Sequence, residues 1–64
     1  MKWVDVLDIG IALSEKHAEI NPMTVNFVNL REFVIQLDEF DDEPERCNER
    51  ILEAIQQAWI DEAD

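Results

Sequence analysis

The clearest hydrophobic pattern of the chain lies near its middle and predicts a helix. Apolar residues recur there at i, i+3, i+4 and i+7, which is the spacing of one helix face. These residues are Leu30, Phe33, Val34 and Leu37. Asn29 and Glu32 have capping-box spacing at the start of this run. We therefore predict a helix from about Leu30 to Glu39, with Asn29 as its N-cap.

A similar pattern precedes it and predicts a first helix. The positions on its apolar face are Val6, Ile9, Leu13 and, less regularly, His17 and Ile20. Asp5 is placed to cap this helix, which should end near Ala18 or Glu19. Gly10 in its middle costs about 1 kcal/mol relative to alanine. That cost favours the close approach of a neighbouring element, such as one of the two tryptophans.

A third helix is predicted for the C-terminal part of the chain. Pro44 stands where it would open this helix, because the first helical position needs no backbone N–H donor. The predicted buried stripe consists of Ile51, Ala54, Ile55, Ala58 and Trp59. The chain closes with the carboxylates of Asp61, Glu62 and Asp64. A helix dipole disfavours negative charge at this end, so helix stability does not explain them.

The segment between the first two helices predicts two short elements. Asn21 before Pro22 is a helix start signal, which predicts a single turn over Pro22–Thr24. The alternating apolar residues of Val25–Val28 predict a short extended link. The expected fold is all-α, with three main helices, one helical turn and one extended link. Residues 1–64 are expected to form a single acidic helical domain.

Between the second and third predicted helices lies a dense acidic run, Leu37–Glu45, here called the acidic corner. Its carboxylates are Asp38, Glu39, Asp41, Asp42, Glu43 and Glu45. Such a run repels itself and needs solvent, a cation or a basic partner nearby. Leu37 and Phe40 are the side chains expected to anchor it to the core. The residues alone leave open whether it is a solvated linker, a docking surface or a cation site.

Charge narrows the classes of partner. The net charge is −11, from 16 acidic and 5 basic residues. Binding to nucleic acid depends on Lys and Arg at the phosphates, so neither nucleic acid nor an anionic membrane is an expected partner. A basic protein patch or a metal cation fits this charge, and a nucleic-acid mimic stays open. Repulsion between copies favours a monomer.

The residues needed for catalysis or for a bound cluster are scarce. The chain has one cysteine, Cys47, and one histidine, His17, which are too few for a conventional zinc or iron–sulphur site. Ser14 lacks the sequence context of a catalytic nucleophile. We therefore expect no enzymatic activity. The lone cysteine and the lack of a signal-like or membrane-spanning run favour a cytoplasmic protein.

Motifs along nearly the whole chain resemble those of the IscX family, small acidic bacterial proteins of iron–sulphur cluster assembly. They are Lys2-Trp3-x-Asp5, Ile9-Gly10, Asn21-Pro22-x-Thr24-Val25-x-Phe27, Asp41-Asp42-x-Pro44, Asn48-Glu49-x-Ile51-Leu52-Glu53-Ala54-Ile55 and Trp59-x-Asp61-Glu62-Ala63. Two positions depart from the family pattern. Asn21 stands where an aspartate is familiar, and Phe33 where a tryptophan is familiar.

The resemblance implies a helical fold related to the winged helix. It implies an adaptor or regulator that binds the cysteine desulfurase IscS at a basic region also used by bacterial frataxin. It also implies weak binding of iron, as Fe²⁺ or Fe³⁺, without a bound cluster. The alternative within the family is an iron carrier or donor for cluster assembly.

The family's acidic motif carries over onto Asp41 and Asp42, and the neighbouring carboxylates extend it. The residues expected to bind the partner are Asp38, Glu39, Asp41, Asp42, Glu43 and Glu45. The residues expected to contact iron are Asp5, Asp8, Asp38, Asp41, Asp42 and Glu43.

Overall fold

Three α-helices and two short 3₁₀ turns make up the secondary structure of residues 1–63, which a computed structural model describes. In chain order these are α1 (Val6–Lys16), the turn Pro22–Thr24, α2 (Phe27–Ile35), the turn Pro44–Arg46 and α3 (Glu49–Ala63). The described residues contain no strand. The all-α prediction is confirmed, whereas the relationship to the winged helix stays a prediction. Asp64 lies outside the described residues.

The core forms where α1 and α3 pack against each other. A Cβ atom on Gly10 would lie 2.7 Å from Cβ of Ala58 and 3.0 Å from the backbone nitrogen of Trp59. The predicted close approach is therefore confirmed, and the neighbouring atoms belong to Ala58 and to the backbone of Trp59 on α3. The buried apolar side chains are Trp3, Ile9, Leu13, Leu30, Val34, Leu37, Leu52, Ile55, Ala58 and Trp59.

Helix α1 begins where the sequence predicts and ends earlier. Asp5 occupies the N-cap position, but its side chain makes no cap hydrogen bond to the helix. The carboxylate instead accepts a hydrogen bond from the backbone N–H of Lys2 at 2.8 Å. The helix ends at Lys16, two to three residues before the predicted end, and the N–H of His17 closes it on the carbonyl of Leu13.

Helix α2 lies further towards the N-terminus than predicted. The Asn26 side chain, not that of Asn29, caps it by accepting the N–H of Asn29 at 2.8 Å. The helix therefore starts at Phe27, and the predicted extended link shrinks to Val25 and Asn26. The 3₁₀ turn before it is confirmed, because the Asn21 side chain accepts the N–H of Met23 at 3.0 Å.

Helix α3 starts five residues later than predicted. Pro44 opens the separate 3₁₀ turn, and extended backbone at Cys47 ends that turn. Asn48 then caps α3, because its side-chain oxygen accepts the N–H of Ile51 at 2.8 Å. Among residues 1–63, none of the helices combines the length and the apolar composition that spanning a bilayer requires.

The buried face of α3 differs from the prediction at three positions. Ile55, Ala58 and Trp59 are buried as expected. Leu52 is buried too, whereas Ile51 is only half-buried and Ala54 is exposed, so Ala54 was wrongly placed on the buried stripe. Leu52, Ile55 and Trp59 have i, i+3 and i+7 spacing, so the buried face is centred on them and Ala54 lies beside it.

Candidate functional site: the acidic corner

Two apolar side chains hold the acidic corner against the core, as the sequence predicts. Leu37 is 5% exposed and belongs to the core cluster. Phe40 is half-buried, and its ring meets the ring of Trp3 edge-on with centroids 4.7 Å apart. Helix α2 ends at Ile35, so the corner begins just after the helix and not inside it. Its backbone is therefore free to bond with other segments.

The N-terminal segment, Met1–Trp3, supplies those bonds and clamps the corner. The Nε1–H of Trp3 donates to the carbonyl of Glu43 at 2.7 Å. The Lys2 ammonium donates to the carbonyl of Asp41 at 2.8 Å, and the N–H of Asp41 donates back to the carbonyl of Met1 at 3.0 Å. These bonds fix the path of a stretch that repels itself electrostatically.

Arg31 on α2 supports the far end of the corner. Its guanidinium donates to the carbonyl of Pro44 at 3.0 Å. The same cationic group lies near Cys47, where burial raises the pKa of the thiol and Arg31 partly opposes that rise. The clamp and Arg31 together hold the corner backbone at both ends. Sequence reasoning assigned neither of them a role in the site.

Asp42 has a structural role within the corner. One carboxylate oxygen accepts the backbone N–H of Trp3 at 3.1 Å, and the other accepts its neighbour Glu43's N–H at 2.7 Å. These two hydrogen bonds, that from Trp3 foremost, lower the pKa of the Asp42 carboxyl. Both oxygens are thus already engaged within the chain.

Asp41 is exposed but sits beside positive charge from its own chain. The N-terminal amino group lies 3.1 Å from its carboxylate and the Lys2 ammonium lies 3.4 Å away. The hydrogen bond from the amino group, followed by the charge of Lys2, lowers the pKa of the Asp41 carboxyl. Part of the negative charge of the corner is therefore offset internally.

The other four carboxylates predicted to bind a partner point to solvent. They are Asp38, Glu39, Glu43 and Glu45. Within residues 1–63, none of their side-chain oxygens forms a hydrogen bond or ion pair. The structure thus separates the six predicted residues into two that build the corner and four that remain open to an external group.

Comparison with known proteins assigns the chain to a family. The sequence profile described as "Iron-sulphur cluster assembly" matches residues 1–64. The chain belongs to this iron–sulphur cluster assembly family. IscX belongs to the same family, so the resemblance carried by the sequence motifs is confirmed. An uncharacterized protein of Pseudomonas aeruginosa, PA3808, is 55% identical over 64 residues, covering 100% of this chain and 97% of the relative.

The carboxylates that the family resemblance assigns to iron do not converge in this family member. The Asp5 carboxylate accepts a hydrogen bond from the backbone N–H of Lys2, and Asp8 is exposed on α1. Within residues 1–63, no three His, Cys, Asp or Glu side chains group closely enough to hold a metal ion. Carboxylate oxygens suit hard cations. The donor chemistry therefore suits a hard cation in general, and in this arrangement water would supply much of its coordination.

The pH dependence of unfolding should show how much the hydrogen bonds of the Asp42 carboxylate stabilise the fold. Asp42 has a folded-state pKa below the unfolded value near 3.8, so its ionised form stabilises the fold above that pH and the contribution disappears as pH falls through the folded pKa. We expect Asp42→Asn to destabilise the protein at neutral pH and the difference from wild type to shrink below about pH 4. Urea unfolding at a series of pH values measures this difference.

Asp38→Asn is the matched control for this experiment. It removes the same charge from an exposed carboxylate whose oxygens have no hydrogen bond among the described residues. Relief of overall charge repulsion at low pH acts on both variants. A gap between wild type and Asp42→Asn that stays constant from neutral to acid pH would contradict the structural role of Asp42.

The clamp is the part of the site that sequence reasoning missed. Lys2-Trp3 appears among the family motifs but carries no charge pattern or period that reveals its partner. One signal was available, because a buried tryptophan usually places its ring N–H on an acceptor. The acceptor itself, the carbonyl of Glu43, is 40 positions away in the sequence. Local patterns cannot identify such a pairing.

Proposed function

We propose that this protein is an adaptor of iron–sulphur cluster assembly that binds the cysteine desulfurase IscS through its acidic corner. The observation that carries the proposal is the set of four outward carboxylates on a backbone clamped at both ends. The role is regulatory and not enzymatic, since it consists of docking and of tuning sulphur supply. A frataxin that uses the same basic region of the desulfurase would compete with it.

Electrostatics and preorganisation both support docking at the corner. A net charge of −11 accelerates encounter with a basic surface. Binding also costs less when the interface backbone is ordered beforehand. The bonds of Trp3 and Lys2 to the corner supply that order in the free protein. The corner is thus suited to fast, salt-sensitive association.

Weak iron binding is proposed as an accompanying activity of the same surface. Asp41 and Asp42 are engaged with groups of their own chain, which leaves the outward carboxylates as oxygen donors. An ion held by such separated carboxylates keeps several waters and competes poorly with other hard cations. An iron carrier would instead show saturable Fe²⁺ binding of fixed stoichiometry that survives millimolar Mg²⁺.

Charge reversal at the outward carboxylates tests the docking proposal. We expect Asp38→Lys combined with Glu39→Lys to lower the association rate with IscS by about tenfold at low ionic strength. It should also flatten the dependence of that rate on salt, because fewer screened charge pairs remain. Stopped-flow or biolayer measurements across a salt series give both quantities. Asp41 and Asp42 are unsuitable for this test because their substitution would also disturb the clamp.

Glu49→Lys combined with Glu53→Lys is the matched control. Both residues are exposed on α3, and the pair changes the net charge of −11 by the same amount. A purely nonspecific charge effect would slow both variants equally, and that result would contradict the assignment to the acidic corner. Anaerobic Fe²⁺ titration of the same two variants shows whether iron uses the corner too.

A further inference from the structure

One face of α1 carries apolar side chains exposed to solvent. Val4 is 76% exposed, Leu7 is 71% exposed and Ile11 is 40% exposed. These three residues are here called the α1 stripe. Leu7 and Ile11 stand one turn apart on α1, and Val4 lies just before the helix, which begins at Val6. Val4 and Leu7 line the same shallow surface depression. Single exposed apolar residues are ordinary, but an adjacent group on so small a protein indicates an interaction surface.

Carboxylates border the α1 stripe and connect it to the acidic corner. Asp8 and Glu15 are exposed on α1, three residues before and four residues after Ile11, so they lie next to the stripe. A shallow cleft continues from this border to the corner. Its lining residues are Ala12, Glu15, Lys16, Leu37, Asp38 and Glu39. The stripe therefore has a negative rim that continues into the outward carboxylates.

Lys16 is the cationic side chain in this cleft, and it is directed to the main chain. Its ammonium donates to the carbonyl of Gln36 at 3.2 Å. The remaining charges of the cleft are carboxylates. A surface with an apolar centre and a charged rim is the usual anatomy of a protein–protein interface.

We propose that the α1 stripe is the apolar centre of the surface whose charged rim is the acidic corner, and that one basic partner covers both. This inference rests on the proposed function, because it assigns additional contacts to the same desulfurase. The partner surface would present an apolar side chain flanked by Lys or Arg. Charge complementarity selects such a partner, since the stripe is bordered by carboxylates on α1 and in the cleft.

The small area of the α1 stripe indicates that it acts together with the acidic corner. A standard interface buries about 800 Å² on each partner. The total accessible surface of this molecule is 4202 Å². Three side chains fill a small part of such a footprint, so it must extend over neighbouring surface. A second copy of the chain would bring an equally acidic rim against this one, which electrostatic repulsion opposes.

Removing the apolar centre tests the proposal. We expect Leu7→Ser combined with Ile11→Ser to raise the Kd for IscS by about tenfold. The increase should be the same at every salt concentration, because apolar contacts are not screened by ions. The rim variant, Asp38→Lys with Glu39→Lys, should instead change the slope of log Kd against log salt concentration. Isothermal titration across a salt series separates the two effects.

Met23→Ser combined with Val28→Ser is the matched control. These residues are 71% and 75% exposed and lie outside α1, so the pair removes similar apolar surface elsewhere. Circular dichroism verifies that each variant retains its helices. An unchanged Kd for the stripe variant, or an equal change for the control, overturns the inference even if the rim variant weakens binding. Failure of the wild-type protein to bind IscS overturns the proposed function itself.

Self-association is the remaining outcome of this experiment. Sedimentation of the wild-type protein and of the stripe variant shows whether the α1 stripe joins two copies. A wild-type dimer that Leu7→Ser with Ile11→Ser converts to monomer would overturn the inference, because the occupant would be a second copy. A monomer in both cases, together with the salt-independent loss of desulfurase affinity, supports it.

Discussion

Replacing Trp3 with alanine should lower the free energy of unfolding by about 3–5 kcal/mol. The side chain is 1% exposed, its ring packs edge-on against Phe40, and its N–H bonds to the carbonyl of Glu43. Natural domains have about 0.05–0.15 kcal/mol of stability per residue, so a chain of 64 residues loses a large part of its stability with this substitution. Urea unfolding followed by far-ultraviolet circular dichroism measures the loss.

Trp3→Phe separates the hydrogen bond of the clamp from the packing of the ring. Phenylalanine keeps most of the buried apolar surface and leaves the Glu43 carbonyl without its donor, which should cost about 1–3 kcal/mol. Amide exchange should accelerate at Asp41, whose N–H bonds to the carbonyl of Met1. If Trp3→Phe matches wild type in both stability and exchange, the N–H is not what clamps the corner.

Gly10→Ala should destabilise the protein even though alanine favours helices. The added Cβ would lie 2.7 Å from Cβ of Ala58, 2.9 Å from its carbonyl carbon and 3.0 Å from the nitrogen of Trp59. Two of these atoms belong to the α3 backbone and cannot rotate away. Overpacking typically costs about 1–3 kcal/mol, while the gain in helix propensity is about 1 kcal/mol. We therefore expect a net loss of stability in chemical denaturation.

A double-mutant cycle identifies the steric origin of this loss. Ala58→Gly removes the nearest atom, so Gly10→Ala should cost less in that background, and the two changes should be non-additive. Ala54→Gly at an exposed position of α3 measures the propensity cost of glycine in the same helix. Strict additivity of Gly10→Ala and Ala58→Gly would show that the two helices do not meet as described.

The sequence predicted the features that depend on local spacing. Ile9, Leu13, Leu30 and Val34 are buried because each lies on an amphipathic helix face, which a period of 3.6 reveals. The turn at Pro22–Thr24 was predictable because the Asn-Pro signal acts within a few residues. The density of carboxylates in the acidic corner was evident from the sequence itself.

The predicted helix boundaries were wrong where two local signals compete. Asn26 and Asn29 both precede apolar residues, and the capping-box spacing favoured Asn29. The structure uses Asn26, which allows Phe27 to enter the same face as Leu30. The start of α3 was misjudged similarly, because Pro44 suits the first residue of a 3₁₀ turn as well as that of an α-helix.

The different contacts of Asp41 and Asp42 within the candidate site could not be predicted from the sequence. Asp41 and Asp42 are adjacent and chemically identical, and both match the family motif. They differ in the structure because the N-terminal amino group and Lys2 reach one of them while the backbone N–H of Trp3 reaches the other. Such contacts depend on how distant segments meet in three dimensions.

The clamp also means that the acidic corner acquires its native structure only after both Trp3 and Glu43 have been synthesised. Trp3 leaves the ribosome well before Glu43, its partner 40 positions later, so a nascent chain carries its acidic residues without their final arrangement. Closing so long a loop costs entropy that the contacts across it must repay. A newly made or heat-damaged copy therefore has the charge of the native protein without its shape. A partner that binds only the native conformation of the corner would therefore select folded copies of the protein.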